Sequence, residues 1–181
     1  GQLYINASGG KGINCRDDVT IQSCSLYISA SDDGLRGKDS VTISSGLIRI
    51  SAGADGIRST NEEKEGKGYI TINDGLVMVE STLDGIQAYS DLKIAGGNVI
   101  CITGGGAKEN TKTPKRAFGH GGGFPSGRGG PGWDANEQNS SEDNTTSAKG
   151  LKADGNVLIS NGNIQISSND DAVHADQNVV I

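Results

Sequence analysis

The stretch SASDDGLRGKDSVTISSGLIRISAGADGIRS, residues 29–59, contains one pattern twice. An Asp-Gly pair is followed by an aliphatic residue, an arginine and two short apolar runs, and then the same four residue types return. Gly12, Gly34 and Gly56 lie 22 residues apart from one another in turn. Self-similarity at a fixed period is typical of repeat architectures. The sequence therefore predicts a stack of similar units of about 22 residues.

Two intervals between repeats are longer than the others. The interval after Gly56 has seven extra residues within the charged segment NEEKEGKG, residues 61–68. The interval after Gly85 is longer still, and its excess falls at residues 104–149, which are rich in Gly, Ser and Asn. This segment lacks strand alternation and has too few apolar residues to bury a core of its own. We expect one domain, residues 1–181, with residues 104–149 as a loop insertion.

The apolar residues of each repeat recur at fixed positions, counted from the glycine as position 1. Positions 2, 8, 10, 15 and 17 are aliphatic in nearly every repeat, and Val41 with Ile43 is one such pair. Spacing by two residues is the period of a strand with one buried face. A unit of about three short strands cannot bury that face alone, so it must stack on its neighbours. The predicted fold is all-β, a parallel β-helix solenoid with about 22 residues per coil.

Two further positions follow from that fold. Position 13 is expected to form a corner with positive φ, and it is occupied by Gly46, Gly75, Gly97 and Gly162. Position 4 holds small residues and is expected to face inward, so we interpret Cys15 and Cys101, each at an inward position, as small buried hydrophobes. Three cysteines are too few for a disulfide framework.

Acidic residues recur at position 22, immediately before the glycine. They are Asp33, Asp55, Asp84 and Asp171, and Lys149 interrupts the series. In a β-helix these carboxylates would lie about one strand spacing apart, where like charges repel. Three kinds of partner would offset the repulsion: the amides of the turn, the basic or polar residues at position 3, or a Ca²⁺ ion, which prefers carboxylate and carbonyl oxygens.

Calcium is the partner that additional acids favour, because Asp32 and Asp170 stand beside two of these aspartates. The predicted Ca²⁺ ligands are Asp32, Asp33, Asp55, Asp84, Asp170 and Asp171. The competing residues at position 3 are Asn14, Arg36, Arg58, Gln87, Lys152 and His174.

Net charge and hydropathy exclude two classes of partner. The formal charge is −6, and the isoelectric point is about 4.8. A nucleic-acid-binding domain would need a basic face, so no nucleic-acid partner is expected. No apolar stretch approaches the ~20 residues of a membrane-spanning helix, so no membrane span is expected.

The repeated motifs resemble a known family. DDGLRG, ADGIRS, LDGIQA and NDDAVHA, each in a coil with paired apolar strands, are similar to secreted bacterial carbohydrate-binding β-helix proteins related to the family-nine polysaccharide lyases. The Gly-rich GHGGGFPSGRGGPGW, residues 119–133, resembles an interruption found in that family. The resemblance implies a right-handed β-helix, bound calcium, an extracellular or cell-surface location and binding of plant-type or acidic polysaccharide. Because no Lys or Arg matches a catalytic base of the lyases, lyase activity ranks third among the functions.

Candidate carbohydrate-binding residues fall into two groups. Basic side chains beside the acidic series, Arg36, Arg58 and Lys152, would bind acidic groups. Tyr4 and Tyr27, one repeat apart at the outward position 16, would offer a stacking surface, as would Trp133 in the insertion. The alternatives are an aromatic ladder that adds only stability and an insertion without function.

A structural role is the alternative function. Ile181 falls at position 10, and Gly1 falls at position 13, so the last residue nearly reaches the register of the first. Open β-helix ends leave unpaired strand N–H and C=O groups that can pair with another chain. Head-to-tail self-association into filaments is therefore one expectation, and a fragment with its flanking coils removed is the other.

Overall fold

A computed structural model describes residues 1–63, 65–106 and 147–181. In these ranges the chain forms strands that assemble into three parallel sheets, and every third strand along the chain joins the same sheet. The first sheet contains β1 (Gln2–Ala7), β4 (Ser25–Ala30), β7 (Leu47–Ala52), β10 (Leu76–Ser81), β13 (Asn98–Thr103) and β16 (Asn163–Ser168). The second contains β2 (Ile13–Cys15), β5 (Leu35–Gly37), β8 (Ile57–Ser59), β11 (Ile86–Ala88), β14 (Leu151–Ala153) and β17 (Val173–Ala175). The third contains β3 (Asp18–Ile21), β6 (Ser40–Ile43), β9 (Tyr69–Ile72), β12 (Leu92–Ile94), β15 (Val157–Ile159) and β18 (Val179–Val180).

This strand order is that of a parallel β-helix, because each coil contributes one strand to each sheet. The predicted fold class is confirmed, and the handedness stays a prediction. Equivalent repeat positions pair directly: Leu26 is opposite Ile48, and Val41 is opposite Ile70. Within the described residues no helix forms, so there is none with the length and hydrophobicity of a membrane span.

The core lies between the three sheets and consists of the aliphatic positions that the sequence predicts to face inward. In β6 and β9 the alternate residues are fully buried, as shown by Val41, Ile43, Ile70 and Ile72. Full burial of such a side chain contributes about 1.5–3 kcal/mol. Because each coil repeats the same inward positions, the buried side chains form one continuous cluster.

The corner glycines have the backbone conformation that the repeat predicts. The φ angles of Gly46, Gly75, Gly97 and Gly162 are 122°, 106°, 84° and 110°. Space is also restricted there, since a Cβ on Gly75 would lie 2.6 Å from the carbonyl oxygen of Gly46 in the preceding coil. Glycine at position 13 therefore permits both the turn and the close stacking of successive coils.

The three cysteines are all in the described ranges and are free. Cys101 is fully buried, as predicted, and burial raises the pKa of its thiol to about 12. Cys15 is only half-buried, and its Sγ lies 3.5 Å from the carbonyl oxygen of Asp18. The buried environment predicted for Cys15 is therefore only partly formed. Most of the predicted insertion, including Trp133, lies outside the described residues.

Candidate functional site

A row of polar and mostly basic side chains follows the outer face of the second sheet. We call it the basic row; its members are Arg36, Arg58, Gln87, Lys152 and His174. They are the middle residues of three-residue strands, and in β5, β8, β11 and β14 the residues on either side are buried. The middle residue therefore points outward. Each member pairs in register with the next, so the row is continuous over five coils.

Several members of the basic row are held by buried aspartates. Arg58 Nη1 lies 3.0 Å from Asp55 Oδ2, and Lys152 Nζ lies 3.5 Å from Asp84 Oδ2. In the amide orientation that satisfies its neighbours, Gln87 donates to Asp55 Oδ2 at 3.0 Å and accepts from Lys152 Nζ at 3.1 Å. These contacts fix Arg58, Gln87 and Lys152 relative to one another.

Arg36 is the basic residue of the row that has no carboxylate of the described residues within ion-pair distance. Its Nη2 donates to the hydroxyl of Thr60 at 3.1 Å. The Arg36 guanidinium thus interacts with a carboxylate only at longer range, through the charge of Asp32, whereas Arg58 forms a direct ion pair with Asp55. Among the arginines of the row, Arg36 therefore has the greater capacity to bind an external anion.

A polar pocket of about 490 Å³ opens beside Arg36 and Arg58. This volume is within the ~300–1,000 Å³ range of small-molecule sites. Its lining is Arg36, Lys38, Arg58, Ser59, Thr60, Glu62, Glu63, Gln87, Tyr89 and Asp154. Tyr89 is 38% exposed and supplies the pocket with an aromatic ring. Tyr89 is not among the predicted site residues, although it is the sole aromatic residue at its repeat position.

Three aspartates stack beside the basic row, one from each of three successive coils. We call Asp33, Asp55 and Asp84 the aspartate ladder; all three are buried. Asp33 Oδ1 accepts a hydrogen bond from the backbone N–H of Asp55, and Asp55 Oδ1 accepts from that of Asp84. Asp84 Oδ1 in turn accepts from the backbone N–H of Lys149 at 2.7 Å. Each carboxylate is thus bonded to the amide of the next coil.

Burial and neighbouring charges change the pKa of Asp55, the central residue of the aspartate ladder. Burial raises the pKa of Asp55 to about 6; Arg58 opposes this shift, and the carboxylates of Asp84 and Asp33 add to it. The hydrogen bond from the Asp84 amide also opposes it. The charge of Asp55 therefore changes at about pH 6.

A lysine lies at each end of the aspartate ladder. Lys11 Nζ lies 2.7 Å from Asp33 Oδ2 and 2.7 Å from Asp32 Oδ2. At the other end, Lys149 follows Asp84 at the same repeat position. Lys149 is the predicted interruption of the acidic series, whereas Lys11 was not predicted, although it precedes Gly12 and so occupies this position in the first coil.

These contacts bear on the predicted calcium site. Both carboxylate oxygens of Asp33, Asp55 and Asp84 have a donor: one oxygen has a backbone amide, and the other has Lys11, Arg58 or Lys152. The described residues include no group of three or more His, Cys, Asp or Glu side chains that could hold a metal. Since Ca²⁺ takes about 6–8 oxygen ligands, the ladder does not fit this ion. The prediction that the chain binds Ca²⁺ thus has no support from the contacts of the ladder and stays untested.

The predicted tyrosines lie on a different sheet from the basic residues. Tyr4 of β1 pairs with Tyr27 of β4, and the two rings stack with centroids 4.6 Å apart and planes 7° apart. They border a largely apolar groove of about 470 Å³ on the outer face of the first sheet, which Arg49, Met78 and Ile100 also line. Because each ring covers a face of the other, the pair has the geometry of an aromatic ladder. The structure therefore does not bring Tyr4 and Tyr27 together with Arg36, Arg58 and Lys152.

Comparison with known proteins identifies the family. Residues 1–181, the whole chain, match the family described as carbohydrate-binding domain-containing protein. The chain belongs to this family, and binding of carbohydrate in general agrees with the half-exposed, outward-facing basic row and its pocket. The further relation to family-nine lyases and secretion from the cell stay predictions.

A solved structure supports the same class. The chain is similar to the polysaccharide lyase-like protein from C. thermocellum, solved as a gadolinium derivative, with 37% sequence identity and a TM-score of 0.57. The alignment covers 58% of this chain and 42% of that chain, so it spans less than half of the relative. A search of curated proteins found no match.

Proposed function

We propose that the chain binds an acidic or plant-type polysaccharide outside the cell or at the cell surface, without cleaving it. The observation that carries this proposal is the basic row, in which Arg36, Arg58 and Lys152 face outward on β5, β8 and β14 of the second sheet, with Gln87 of β11 between the last two. Family membership supports a carbohydrate as the ligand. The location follows from the resemblance found in the sequence and has the standing of a proposal.

The spacing of the row suits a linear polymer. Successive coils are about 4.8 Å apart, so the row presents donors at regular intervals along the helix axis. A guanidinium group binds a carboxylate through two parallel N–H donors, which gives Arg36 both charge and geometry for an acidic sugar. The chain has a net charge of −6, so attraction to an acidic polymer must come from this local row. Such attraction weakens as salt screens it.

The pocket beside Arg36 supplies the other contacts that a sugar needs. The Thr60 hydroxyl accepts from Arg36 and can still donate to a sugar hydroxyl, the Gln87 amide has a second N–H, and Tyr89 offers an aromatic face. A sugar ring has an apolar face as well as hydroxyls, so a mixed lining of this kind is suitable. The pocket therefore extends the proposed site away from the row.

Binding to soluble polygalacturonate tests the proposal, with a neutral β-glucan for comparison. Affinity electrophoresis and calorimetry should show binding to polygalacturonate that weakens with added salt. Arg36→Gln should reduce the affinity about tenfold, equivalent to about 1.4 kcal/mol. Arg49→Gln is the matched control, because Arg49 is an exposed arginine on the first sheet. Equal affinity of wild type and Arg36→Gln, or a loss with Arg49→Gln alone, would contradict the proposed site.

Absence of cleavage has its own test. Incubation with polygalacturonate, with and without added Ca²⁺, should give no rise in absorbance from unsaturated product. A rise that depends on the protein would assign lyase activity and contradict the non-catalytic proposal. Head-to-tail assembly stays a prediction from the sequence, and light scattering of the protein with its natural termini addresses it.

A further inference from the structure

We infer that lysine ammonium groups, rather than Ca²⁺ ions, balance the paired aspartates of this β-helix. Two such pairs follow a coil with a lysine at the stacking position, Asp32 with Asp33 and Asp170 with Asp171; a third pair of adjacent aspartates, Asp17 with Asp18, lies in the first coil of the structure. Lys11 forms ion pairs with Asp32 and Asp33, and Lys149 forms ion pairs with Asp170 and Asp171. In both cases the lysine belongs to the preceding coil and occupies the same repeat position as the second aspartate of the pair.

At the first pair, one ammonium group bridges both carboxylates. Lys11 Nζ lies 2.7 Å from Asp32 Oδ2 and 2.7 Å from Asp33 Oδ2. The remaining oxygens have their own donors: Asp32 Oδ1 accepts from the backbone N–H of Asp33, and Asp33 Oδ1 accepts from that of Asp55. The Lys11 side chain is 20% exposed and that of Asp33 is 1% exposed, so the contact is sheltered from solvent.

At the second pair, Lys149 makes the equivalent contacts. Its Nζ lies 2.5 Å from Asp170 Oδ2, 3.8 Å from Asp171 Oδ2 and 2.6 Å from the hydroxyl of Ser147. Ser147 also donates to Asp170 Oδ2 at 2.6 Å. These contacts lie in a different part of the chain from those of Lys11, so the arrangement occurs twice independently.

The pattern of charges along the chain matches this assignment. For Asp32 with Asp33 and for Asp170 with Asp171, the preceding coil has a lysine at the stacking position. Where a coil has one aspartate, as at Asp55 and Asp84, the preceding coil has an aspartate there. The negative charge of two adjacent carboxylates is thus partly balanced by a lysine ammonium group about one strand spacing away. A pair of aspartates that held a metal would not need a lysine in the same place.

A divalent cation at either pair would have to displace the ammonium group. Two cations about 4 Å apart repel each other even in water, and they repel more strongly where solvent is excluded. Ionisation supports the ion pairs: the hydrogen bonds from Lys149 and Ser147 lower the pKa of Asp170 to about 2. Burial lowers the pKa of Lys11, but hydrogen bonds with Asp32 and Asp33 outweigh it and raise the pKa above the ordinary lysine value.

Thermal unfolding of the full chain with chelator and with added Ca²⁺ tests the inference directly. We expect the Tm of the wild type to be the same in millimolar EDTA and in millimolar CaCl₂, and calorimetry to detect no Ca²⁺ binding. A Tm that falls on chelation, or a saturable Ca²⁺ isotherm, would overturn the inference.

Lysine variants test whether the ammonium groups stabilise the fold by balancing the paired aspartates. Lys149→Met keeps most of the apolar stem and removes the charge, and it should lower the Tm by several degrees in the absence of metal. Lys93→Met is the control, because Lys93 is an exposed lysine in β12. Equal Tm values for Lys149→Met and Lys93→Met would contradict the role of Lys149. If Lys149→Met does not fold, Lys11→Met at the other pair and the wild-type calcium titration decide the question.

Discussion

Asp55 and Asp84 are 29 residues apart in the chain, yet Asp55 Oδ1 accepts a hydrogen bond from the backbone N–H of Asp84 at 3.0 Å. The bond joins two successive coils outside the strands, at the turn that precedes the second sheet. The carbonyl oxygen of Asp84 completes the connection by accepting from the N–H of Gly56 at 2.9 Å. A side chain that the repeat presents as a candidate metal ligand therefore also joins the coils.

Removal of the Asp55 carboxylate should destabilise the fold. Asp55→Ala leaves the Asp84 amide without its acceptor and Arg58 without its ion-pair partner, and an unsatisfied buried donor costs about 1–3 kcal/mol. Urea unfolding should show a loss of this size. Asp17→Ala is the control, because the Asp17 side chain is exposed, and it should change the free energy of unfolding by less than about 0.5 kcal/mol. Equal stabilities of the two variants would show that the bond contributes nothing.

The same carboxylate should make stability depend on pH between about 4 and 7. The pKa of Asp55 is raised from 3.8 to about 6 in the folded protein, so the folded state binds the proton more tightly than the unfolded chain does. The stabilisation from protonation is complete below pH 3.8 and is lost as pH rises through 6. The upper bound is about 3 kcal/mol, since one pKa unit is worth about 1.36 kcal/mol.

Asp55→Asn isolates this titration, because the amide can still accept from the Asp84 N–H but does not ionise. The free energy of unfolding of the wild type should rise relative to that of Asp55→Asn as pH falls from about 7 to about 4. A difference that stays constant over this range would contradict the raised pKa. Below pH 4 the separate titration of Asp170, whose pKa is lowered to about 2, acts in the opposite direction.

Replacement of a corner glycine should destabilise the coil stack. At Gly75 φ is 106°, a conformation that residues with a Cβ rarely adopt, and the added atom would lie 2.6 Å from the Gly46 carbonyl oxygen. Gly75→Ala should cost on the order of 1–3 kcal/mol in the free energy of unfolding. Gly9→Ala is the control, because a Cβ at Gly9 would meet no atom within 4 Å. A neutral Gly75→Ala would show that the corner relaxes without cost.

Periodic features could be predicted from the sequence, and features that depend on unlike neighbours could not. Val41 and Ile43 recur at equivalent positions of other coils, so their burial and the strands that hold them follow from the spacing. Lys11 pairs with aspartates one coil away, and a search for like residues at like positions does not reveal such a pair. Turn amides were one of the expected partners of the aspartates, but the side-chain pattern does not show that the amides bonded to Asp33 and Asp55 belong to the next coil.

The position of the candidate site was predicted only in part for a related reason. Arg36, Arg58 and Lys152 share a repeat position, so their common face on the second sheet could be predicted. Tyr89 stands in a position where the other coils have arginine, lysine, threonine or aspartate, so periodicity gives it no weight. Its place in the pocket depends on the three-dimensional arrangement of the residues after β8 and β11.

The last prediction separates the two aromatic surfaces, because the Tyr4–Tyr27 pair should contribute to stability and Tyr89 to binding. A stacked pair is worth about 0.5–1.5 kcal/mol beyond its buried area. A double-mutant cycle with Tyr4→Ala and Tyr27→Ala should give a coupling energy in that range, while the affinity for polygalacturonate stays unchanged. Tyr89→Ala should weaken that affinity and leave the free energy of unfolding nearly unchanged, since Tyr89 is 38% exposed. Loss of affinity in Tyr4→Ala, with none in Tyr89→Ala, would instead place the polysaccharide on the first sheet.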